Sequence, residues 1–308
     1  MQIDLIGVPL DLGSERIGTD MAPNALRYQK LVANLQSSGL KIKDLGNLQC
    51  PSPENVEIGD PKIKYLPPVL QACRELKEIV KRSLEQKHKV LVLGGDHSVA
   101  MGSVAAAAEV YKSVGLVWID AHGDMNTYET TPSGNIHGMP LAILLGQGHP
   151  KLLSLSAKGK QAIQDENMLA VGFKDMDKGE LDLIKRKKLK TFFIRDILAQ
   201  GLQPIFTAIE ELSRRVDAVW VSFDLDAVDV DFAPGVGMPN KGGLTYREVK
   251  AVIEHLGALK NVVGLDLVEY NPVNDIQHKT AFLATELTAK VFGKEFSWYS
   301  QYLKEHAL

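Results

Sequence analysis

The chain has 308 residues, of which 45% are hydrophobic, and its formal net charge is −3 at pH 7. This length and composition suit one large α/β layer structure with a sizeable buried core, so we expect a single domain that spans residues 1–308. Lysine and arginine are scattered apart from the run KRKKLK at 185–190, which has the pattern of a solvated helix end and argues against nucleic-acid binding.

The cysteine content and the apolar stretches bear on the compartment. The sequence contains two cysteines, Cys50 and Cys73, which favours a reducing environment without a disulfide framework. No stretch approaches the roughly 20 apolar residues that cross a bilayer, and the N-terminal sequence lacks the basic and apolar regions of a signal peptide. We therefore predict a cytoplasmic protein that does not bind membranes.

Apolar runs and segments with helical spacing alternate along the chain. Strands are predicted at 3–8, 41–45, 90–93, 116–119, 168–171, 191–194, 219–224 and 262–267. Helices are predicted at 25–35, 68–86, 98–111, 177–188, 204–215, 245–255 and 279–292. Such alternation indicates a parallel sheet with right-handed helical crossovers, although the pattern alone does not exclude a (β/α)8 barrel.

Three of the predicted strands are followed by residues that commonly bind metals. These residues are His97, Asp120, His122, Asp124, Asp224 and Asp226. In an open parallel sheet, ligands bind at the carboxyl ends of the strands. Four carboxylates brought together would resist ionisation, and two divalent cations would balance their charge. The set predicts a binuclear centre, whereas a lone D-x-H-x-D pattern would fit a polar loop at a strand end about equally well.

The types of donor indicate which metals the site would bind, and one further acid indicates which substrate group it would bind. Carboxylates and imidazoles suit Mn²⁺ better than a metal that prefers thiolates, although Zn²⁺, Fe²⁺, Co²⁺ or Ni²⁺ also fits such a set. Glu269 lies near the end of the last apolar strand, where a carboxylate can pair with a planar cation such as a guanidinium. For a lone glutamate, a surface-facing strand end is the simpler interpretation.

Several strings of the sequence carry a resemblance to a known family. They are GGDHS, DAHGDMNT, TPSGNIHGMP, SFDLDAVD and GLDLVEYNP, together with the opening VPLDLGSERIGTDMAPNALR. They resemble the arginase branch of the ureohydrolases, and the likeness covers nearly the whole chain. The resemblance implies an arginase/deacetylase-like fold with three α/β/α layers around a central eight-stranded parallel sheet, rather than a barrel. It also implies a homo-oligomer, either a trimer or a hexamer.

The resemblance further implies a reaction and a cofactor. The reaction is hydrolysis of the guanidinium group of L-arginine to L-ornithine and urea by a hydroxide that bridges two Mn²⁺ ions. One ion would be held by His97, Asp120, Asp124 and Asp224. The other would be held by Asp120, His122, Asp224 and Asp226.

The same resemblance assigns the groups around the substrate's guanidinium. Glu269 matches the glutamate that binds it, and Asp124 is placed to pass a proton to the departing amine. His137 looks like the family's proton shuttle, and an imidazole that titrates near neutrality suits that role. On sequence alone, a structural histidine bonded to the loop backbone is an equally good interpretation.

Four residues match those that contact the amino-acid end of the substrate in arginases. Asn126 and Ser133 flank the loop at the α-carboxylate, and Asp177 and Glu180 match the acids that receive the α-amino group. Taken alone, the two acids would be helix N-terminal residues favoured by the helix dipole.

The sequence departs from the arginase pattern at two positions. Met238 stands where a threonine is usual and is expected to touch the substrate, and Val230 stands where a proline is usual. We expect Asp96 to accept hydrogen bonds behind the ligands rather than to bind metal. Arg16 is expected near the mouth of the site.

Two alternative functions follow from these features. One is hydrolysis of a decarboxylated or shortened guanidine, such as agmatine or guanidinobutyrate. The other is a non-catalytic regulator that keeps the metal-binding fold. The complete donor set and Glu269 favour an enzyme, and the four residues at the amino-acid end favour arginine.

Overall fold

The computed structural model describes residues 2–157 and 161–295. Its strands are β1 (Gln2–Gly7), β2 (Lys41–Asn47), β3 (Lys89–Leu93), β4 (Val114–Ile119), β5 (Met168–Phe173), β6 (Lys190–Phe193), β7 (Ala218–Asp224) and β8 (Val262–Val268). They form one parallel sheet in the order β2-β1-β3-β8-β7-β4-β5-β6. Since β2 and β6 are the two edges, the sheet is open and the barrel alternative is excluded.

Helices cover both faces of the sheet. In chain order they are α1 (Ala22–Tyr28), α2 (Leu31–Ser37), α3 (Leu66–Glu85), α4 (Ala100–Val110), α5 (Pro140–Leu144), α6 (Pro150–Leu153), α7 (Lys178–Lys187), α8 (Ile194–Gln200), α9 (Gln203–Arg215), α10 (Tyr246–Gly257) and α11 (Lys279–Val291). Buried residues of α1, α2 and α8 to α11 belong to one apolar core, and those of α3 to α7 belong to a second. In the described ranges, no helix is long and apolar enough to cross a bilayer.

The strand β4 shows how the sheet separates the two cores. Val117 and Ile119 belong to the first core, whereas Leu116 and Trp118 belong to the second. Because side chains alternate between the faces and both faces are covered, all six residues of β4 are buried and none is polar. This continuous burial explains why the strands are visible in the sequence. The predicted three-layer fold with eight parallel strands is confirmed.

The helix predicted at 25–35 is wrong as a single element. The chain forms α1 and α2 instead, and Lys30 between them has a φ of 61°. A residue in this left-handed region interrupts the helical hydrogen-bond pattern. Such a position is usually occupied by glycine or asparagine, so a lysine there does not indicate a break in the sequence. The short helices α5, α6 and α8 were also not predicted, because so few residues show no clear helical period.

Candidate metal centre and substrate cavity

The six metal-type donors come together at the carboxyl ends of the central strands. In the sheet, β3, β8, β7 and β4 lie side by side. His97 lies in the loop after β3, Asp120 directly follows β4, and Asp224 is the last residue of β7. His97 and Asp120 are fully buried. Donors that are up to about 130 positions apart in the sequence therefore meet because their strands are neighbours in one parallel sheet.

Three aspartates surround one nitrogen of His97. Its Nδ1 lies 3.1 Å from Asp120 Oδ2, 3.1 Å from Asp124 Oδ2 and 3.3 Å from Asp224 Oδ2. Among the described residues, this buried nitrogen has no hydrogen-bond partner. A buried imidazole nitrogen that faces carboxylate oxygens without a hydrogen bond is the arrangement that ligands adopt around a cation.

A second group shares one of these aspartates. His122 Nδ1 lies 3.1 Å from Asp226 Oδ2 and 3.6 Å from Asp120 Oδ1. Asp120 thus belongs to two candidate sets, with His97 and Asp224 in one and with His122 and Asp226 in the other. The ligand atoms of each set lie within 4.8 Å of one another. Two neighbouring cations with a shared carboxylate fit this geometry.

The electrostatics of the cluster show that it lacks positive charge. Burial and the neighbouring Asp226 raise the pKa of Asp224 well above its ordinary value. Burial and the charge of Asp120 raise the pKa of Asp124 to about 7. Burial alone would lower the pKa of His97, but the surrounding carboxylates raise it. The protein by itself therefore retains protons where divalent cations would compensate the charge, and the donor set fits two such ions.

A hydrogen-bonded chain behind His97 fixes the state of its ring. Its Nε2 lies 2.9 Å from Ser222 Oγ, and Ser222 donates to Asp266 Oδ2 at 3.2 Å. Trp220 Nε1 donates to the same carboxylate oxygen at 2.8 Å. Because the Ser222 hydroxyl gives its proton to Asp266, it accepts from Nε2, which leaves the lone pair of Nδ1 for a metal. The sequence pattern did not point to these residues, although an aspartate inside the apolar strand β8 was a signal.

The ring of His97 is also held by an aromatic stack. It lies 3.9 Å from Trp118, with 9° between the planes, and Trp118 Nε1 donates to Asp120 Oδ2 at 3.0 Å. Asp96, next in the chain, accepts from the backbone N–H of Gly13 at 2.7 Å and of Ser98 at 2.9 Å. It therefore fixes the loop, and its carboxylate is not part of either donor set.

The donors open onto a cavity of about 710 Å³. Its wall contains all the residues that the sequence analysis placed around a substrate. They are Asp124, Asn126, Ser133, His137, Asp177, Glu180, Met238 and Glu269. Asp224, Asp226 and His122 line the same cavity, so the metal-type donors and the predicted substrate residues share one space.

Glu269 lies beside the donor cluster in a constrained conformation. Its φ is 62°, and its Oε1 accepts from the backbone N–H of His97 at 2.9 Å and lies 3.2 Å from His137 Nδ1. Burial alone would lower the pKa of His137, but Glu269 raises it to about 9. The glutamate is thus held through one carboxylate oxygen. The simpler interpretation of a lone glutamate, a residue that faces the surface at a strand end, does not apply to Glu269.

The two acids at the start of α7 differ in their surroundings. Glu180 accepts from the backbone N–H of Met125 at 3.0 Å and of Asp177 at 2.8 Å, so both of its oxygens hold local structure. Asp177 is exposed and accepts from Asn126 Nδ2 at 2.7 Å. The exposed acid and its amide partner therefore form the polar edge of the cavity, while Glu180 fixes the loop behind them.

The sequence model of the Arginase family matches residues 1–293. The chain belongs to the arginase family. It is 40% identical over 295 residues to the arginase of Bacillus caldovelox, an alignment that covers 95% of this chain and 98% of that protein. It is 40% identical over 293 residues to the arginase of Bacillus subtilis (strain 168), with the same coverage.

A solved arginase has the same architecture. The crystal structure of the arginase from Bacillus cereus superposes with a TM-score of 0.91 at 38% identity, and the match covers 96% of this chain and 100% of that one. The resemblance inferred from the sequence strings is thus confirmed.

Both positions that depart from the arginase pattern lie near the cavity. Met238 lines it and is 36% exposed. The backbone N–H of Val230 donates to the carbonyl oxygen of Asn240 at 3.1 Å, and Asn240 also lines the cavity. Since proline has no N–H, this hydrogen bond would be impossible with the residue that is usual in the family.

Gly237 touches the glutamate that the family pattern identifies. Its N–H donates to the carbonyl oxygen of Glu269 at 3.1 Å, and Arg16 Nη1 donates to the carbonyl oxygen of Gly237 at 2.9 Å. A Cβ added to Gly237 would lie 2.7 Å from Glu269 Oε2, which is too close for the carboxylate to stay in place. Gly237 therefore constrains the position of Glu269.

We expect Gly237→Ala to lower kcat/KM for a guanidino substrate by about 10- to 100-fold, because a displacement of about 1 Å at a reacting group can cost about 100-fold. Metal content should not change. Gly138→Ala is the matched control, since a Cβ there meets no atom within 4 Å and Gly138 lines the same cavity. Steady-state kinetics of the two variants test the prediction. A kcat/KM of Gly237→Ala that equals that of Gly138→Ala would contradict it.

Proposed function

We propose that this protein hydrolyses L-arginine to L-ornithine and urea and that it uses two Mn²⁺ ions. The observation that carries the proposal is the pair of donor sets sharing Asp120 at the base of a cavity whose wall presents Glu269. A metal centre alone would fit many hydrolases. Its combination with a buried carboxylate beside the donors favours a cationic, planar substrate group.

The ions would be held by the six donors identified in the sequence. His97, Asp120, Asp124 and Asp224 would bind one ion, and Asp120, His122, Asp224 and Asp226 would bind the other. When bound, two divalent ions lower the pKa of water and so provide a hydroxide nucleophile near neutral pH. The orphaned Nδ1 of His97 and the raised pKa values of the aspartates support the assignment.

Glu269 would orient the guanidinium. Its Oε1 already accepts from the backbone of His97 and contacts His137, so the carboxylate cannot rotate freely. Among the residues that the structure describes, both side-chain contacts of Glu269 are made by Oε1, so Oε2 is available to a substrate N–H. A charge-assisted hydrogen bond from the guanidinium to this fixed carboxylate would hold the reacting carbon in place.

Asp124 and His137 would handle protons. Hydrolysis adds a water oxygen to the guanidinium carbon and breaks the bond from that carbon to the side-chain nitrogen of the substrate, which must leave with an additional proton. Both residues line the cavity together with Glu269. Asp124 would deliver the proton to the departing nitrogen, and His137 would exchange protons between the cavity and solvent.

Selectivity for arginine would come from the polar edge of the cavity. Asn126 and Ser133 would bind the α-carboxylate, and Asp177 and Glu180 would receive the α-ammonium group. Met238 would contact the substrate where other arginases have a threonine. The exposure of Asp177 and its hydrogen bond to Asn126 support a role at the amino-acid end of the substrate.

Replacing Asp177 by alanine should lower kcat/KM for arginine. The expected loss of transition-state stabilisation is about 1–3 kcal/mol, the usual cost of losing a hydrogen bond to a charged group. Guanidinobutyrate has no α-amino group, so its slow turnover should not change. Asp182→Ala, on the exposed side of the same helix, serves as the control. An equal loss for both substrates would contradict the assignment of Asp177.

A urea-release assay with added Mn²⁺ and a panel of guanidines tests the function itself. We expect arginine to be the best substrate, with agmatine and guanidinobutyrate much poorer. Faster turnover of agmatine would favour an agmatinase. Metal binding without urea release from any guanidine would favour a non-catalytic regulator.

We further propose that the chain forms a single domain and acts in the cytoplasm as a homo-oligomer, either a trimer or a hexamer. Cys50 and Cys73 are both free thiols in the structure, as a reducing compartment requires. Light scattering of the purified protein gives its oligomeric state directly, and a monomer at micromolar concentration would contradict the proposal.

A further inference from the structure

The side chain of Arg16 reaches from the loop after β1 to the segment next to Glu269. Its Nη1 donates to the carbonyl oxygen of Gly237 at 2.9 Å, across 221 positions of the sequence. Arg16 is exposed and does not line the substrate cavity, so it does not contact a substrate there. Any effect of this contact on the reaction must therefore pass through Gly237.

The segment 235–237 runs beside residues 269–271, and each of its three carbonyl groups accepts a hydrogen bond. The first two accept from the backbone N–H of Asn271 and from Asn274 Nδ2, each at 2.9 Å. The third accepts from Arg16. Two of the three donors thus come from the chain that directly follows Glu269. The last carbonyl group depends on a side chain from the opposite end of the sequence.

The peptide group between Gly237 and Met238 needs such a contact to keep one orientation. Gly237 has no Cβ, and glycine adopts backbone conformations that other residues avoid. Its N–H donates to the carbonyl oxygen of Glu269 at 3.1 Å, and a Cβ added to it would lie 2.7 Å from Glu269 Oε2. Rotation of this peptide group would therefore change the space that the carboxylate occupies. The hydrogen bond from Arg16 opposes that rotation.

The loop that carries Arg16 is itself fixed on both sides of this residue. The N–H of Gly13 donates to Asp96 Oδ2 at 2.7 Å, and Asn271 Nδ2 donates to the carbonyl oxygen of Ile17 at 3.1 Å. With the backbone held at these two points, only the side chain of Arg16 has to be ordered for the contact to form, which lowers its entropic cost. The arginine is thus preorganised beside its acceptor.

We propose that Arg16 is a positioning residue for Glu269 and that it acts through Gly237. The Arg16 guanidinium keeps the Gly237 carbonyl group in one orientation, and Gly237 keeps the Glu269 carboxylate where it meets the guanidinium of the substrate. This role rests on the proposed function, in which Glu269 binds that group. Since every guanidine substrate presents the same group, loss of Arg16 should affect all of them by the same factor.

Arg16→Met tests the proposal, because methionine is a flexible side chain without an N–H donor. We expect kcat/KM for arginine to fall about 10-fold, since small displacements of a reacting group are costly. The value for guanidinobutyrate should fall by the same factor. Arg247→Met is the matched control, because Arg247 is an exposed arginine on α10 that does not line the cavity. Both variants should keep the metal content of the unmodified protein.

The double variant Arg16→Met, Gly237→Ala tests whether Arg16 acts through Gly237. Substitutions at residues in contact, which act on one common element, do not have additive effects. Because Gly237→Ala already displaces Glu269, the addition of Arg16→Met should lower kcat/KM by less than about twofold further. A full loss of about 10-fold on this background as well would show that Arg16 acts independently of Gly237.

Four results would overturn the proposal. They are a kcat/KM of Arg16→Met equal to that of Arg247→Met, a loss confined to arginine, a loss of bound metal in Arg16→Met, and independent losses in the double variant. The first three are read from the single variants. The fourth separates a path through Gly237 from any other path.

Failure of the proposed function has a different signature, which is that the unmodified chain releases no urea from any guanidine. The rise in melting temperature on addition of arginine then replaces the kinetics, since a ligand that binds the folded state stabilises it. A smaller rise in Arg16→Met than in Arg247→Met supports the positioning role of Arg16. Equal rises in the two variants overturn it.

Discussion

Asp120→Ala is expected to abolish arginine hydrolysis and to reduce bound metal to at most one ion per chain. Asp120 is the residue common to both donor sets, so its removal weakens both positions at once. Two metal ions contribute several kcal/mol to a hydrolytic transition state, and we expect kcat/KM to fall by more than about 1,000-fold, which corresponds to about 4 kcal/mol.

Metal analysis after dialysis against Mn²⁺, together with urea release, tests this prediction. Asp182→Ala, an exposed aspartate on α7, should keep two ions and full activity. Added Mn²⁺ should raise the melting temperature of the unmodified protein, since ligands that bind the folded state stabilise it. A variant at Asp120 that still binds two ions and releases urea would show that the shared carboxylate is not essential.

Glu269→Gln should lower kcat/KM for arginine while both metal ions stay bound. The expected loss of transition-state stabilisation is about 2–5 kcal/mol, because the substitution removes one partner of a buried charge pair with the guanidinium. Glutamine keeps an oxygen that can accept from the backbone of His97, so the loop should remain in place. The effect on kinetics without loss of metal separates this variant from Asp120→Ala. Activity within about twofold of the unmodified enzyme would rule out Glu269 as the guanidinium partner.

The same substitution has a consequence for pH in the metal-free protein. Burial lowers the pKa of His137, but Glu269 outweighs this and raises it to about 9. The ordinary value is 6.5, so this pair contributes stability that is fully present below about pH 6.5 and is lost as the pH rises through about 9. Glu269→Gln should abolish that part of the pH dependence, which melting curves between pH 6 and 10 and an NMR titration of His137 would measure.

The candidate donors stand out in the sequence for a physical reason. Carboxylates and imidazoles are costly to bury, so Asp120 at the end of β4 and Asp224 at the end of β7 contrast sharply with the apolar strands before them. The polarity change marks the carboxyl end of each strand. Parallel pairing then brings these ends to one edge, which the pattern of alternating strands and helices already indicated.

The residues behind the donors could not be predicted in the same way. Ser222 pairs in register with Asp266 across β7 and β8, and this contact depends on strand order, which a single sequence does not contain. The stacking of Trp118 on His97 joins residues from β4 and the loop after β3, two strands that are not neighbours. The left-handed backbone at Asp124 and Glu269 likewise could not be predicted from the local sequence, since glycine is the residue that usually occupies such positions.

The strand order also determines when the metal centre can exist during folding. A hydrogen bond from Ala121 to Asp226 spans 105 positions of the sequence, and β8, nearly the last element of the chain, lies between β3 and β7. Each donor set needs one aspartate from the end of β7 or the loop after it. A nascent chain that has not yet completed β7 therefore contains neither full set, and contacts of such long range form late and slowly. Metal ions can then bind only to chains whose central strands have already paired. The ions would therefore stabilise the completed fold and would not nucleate folding.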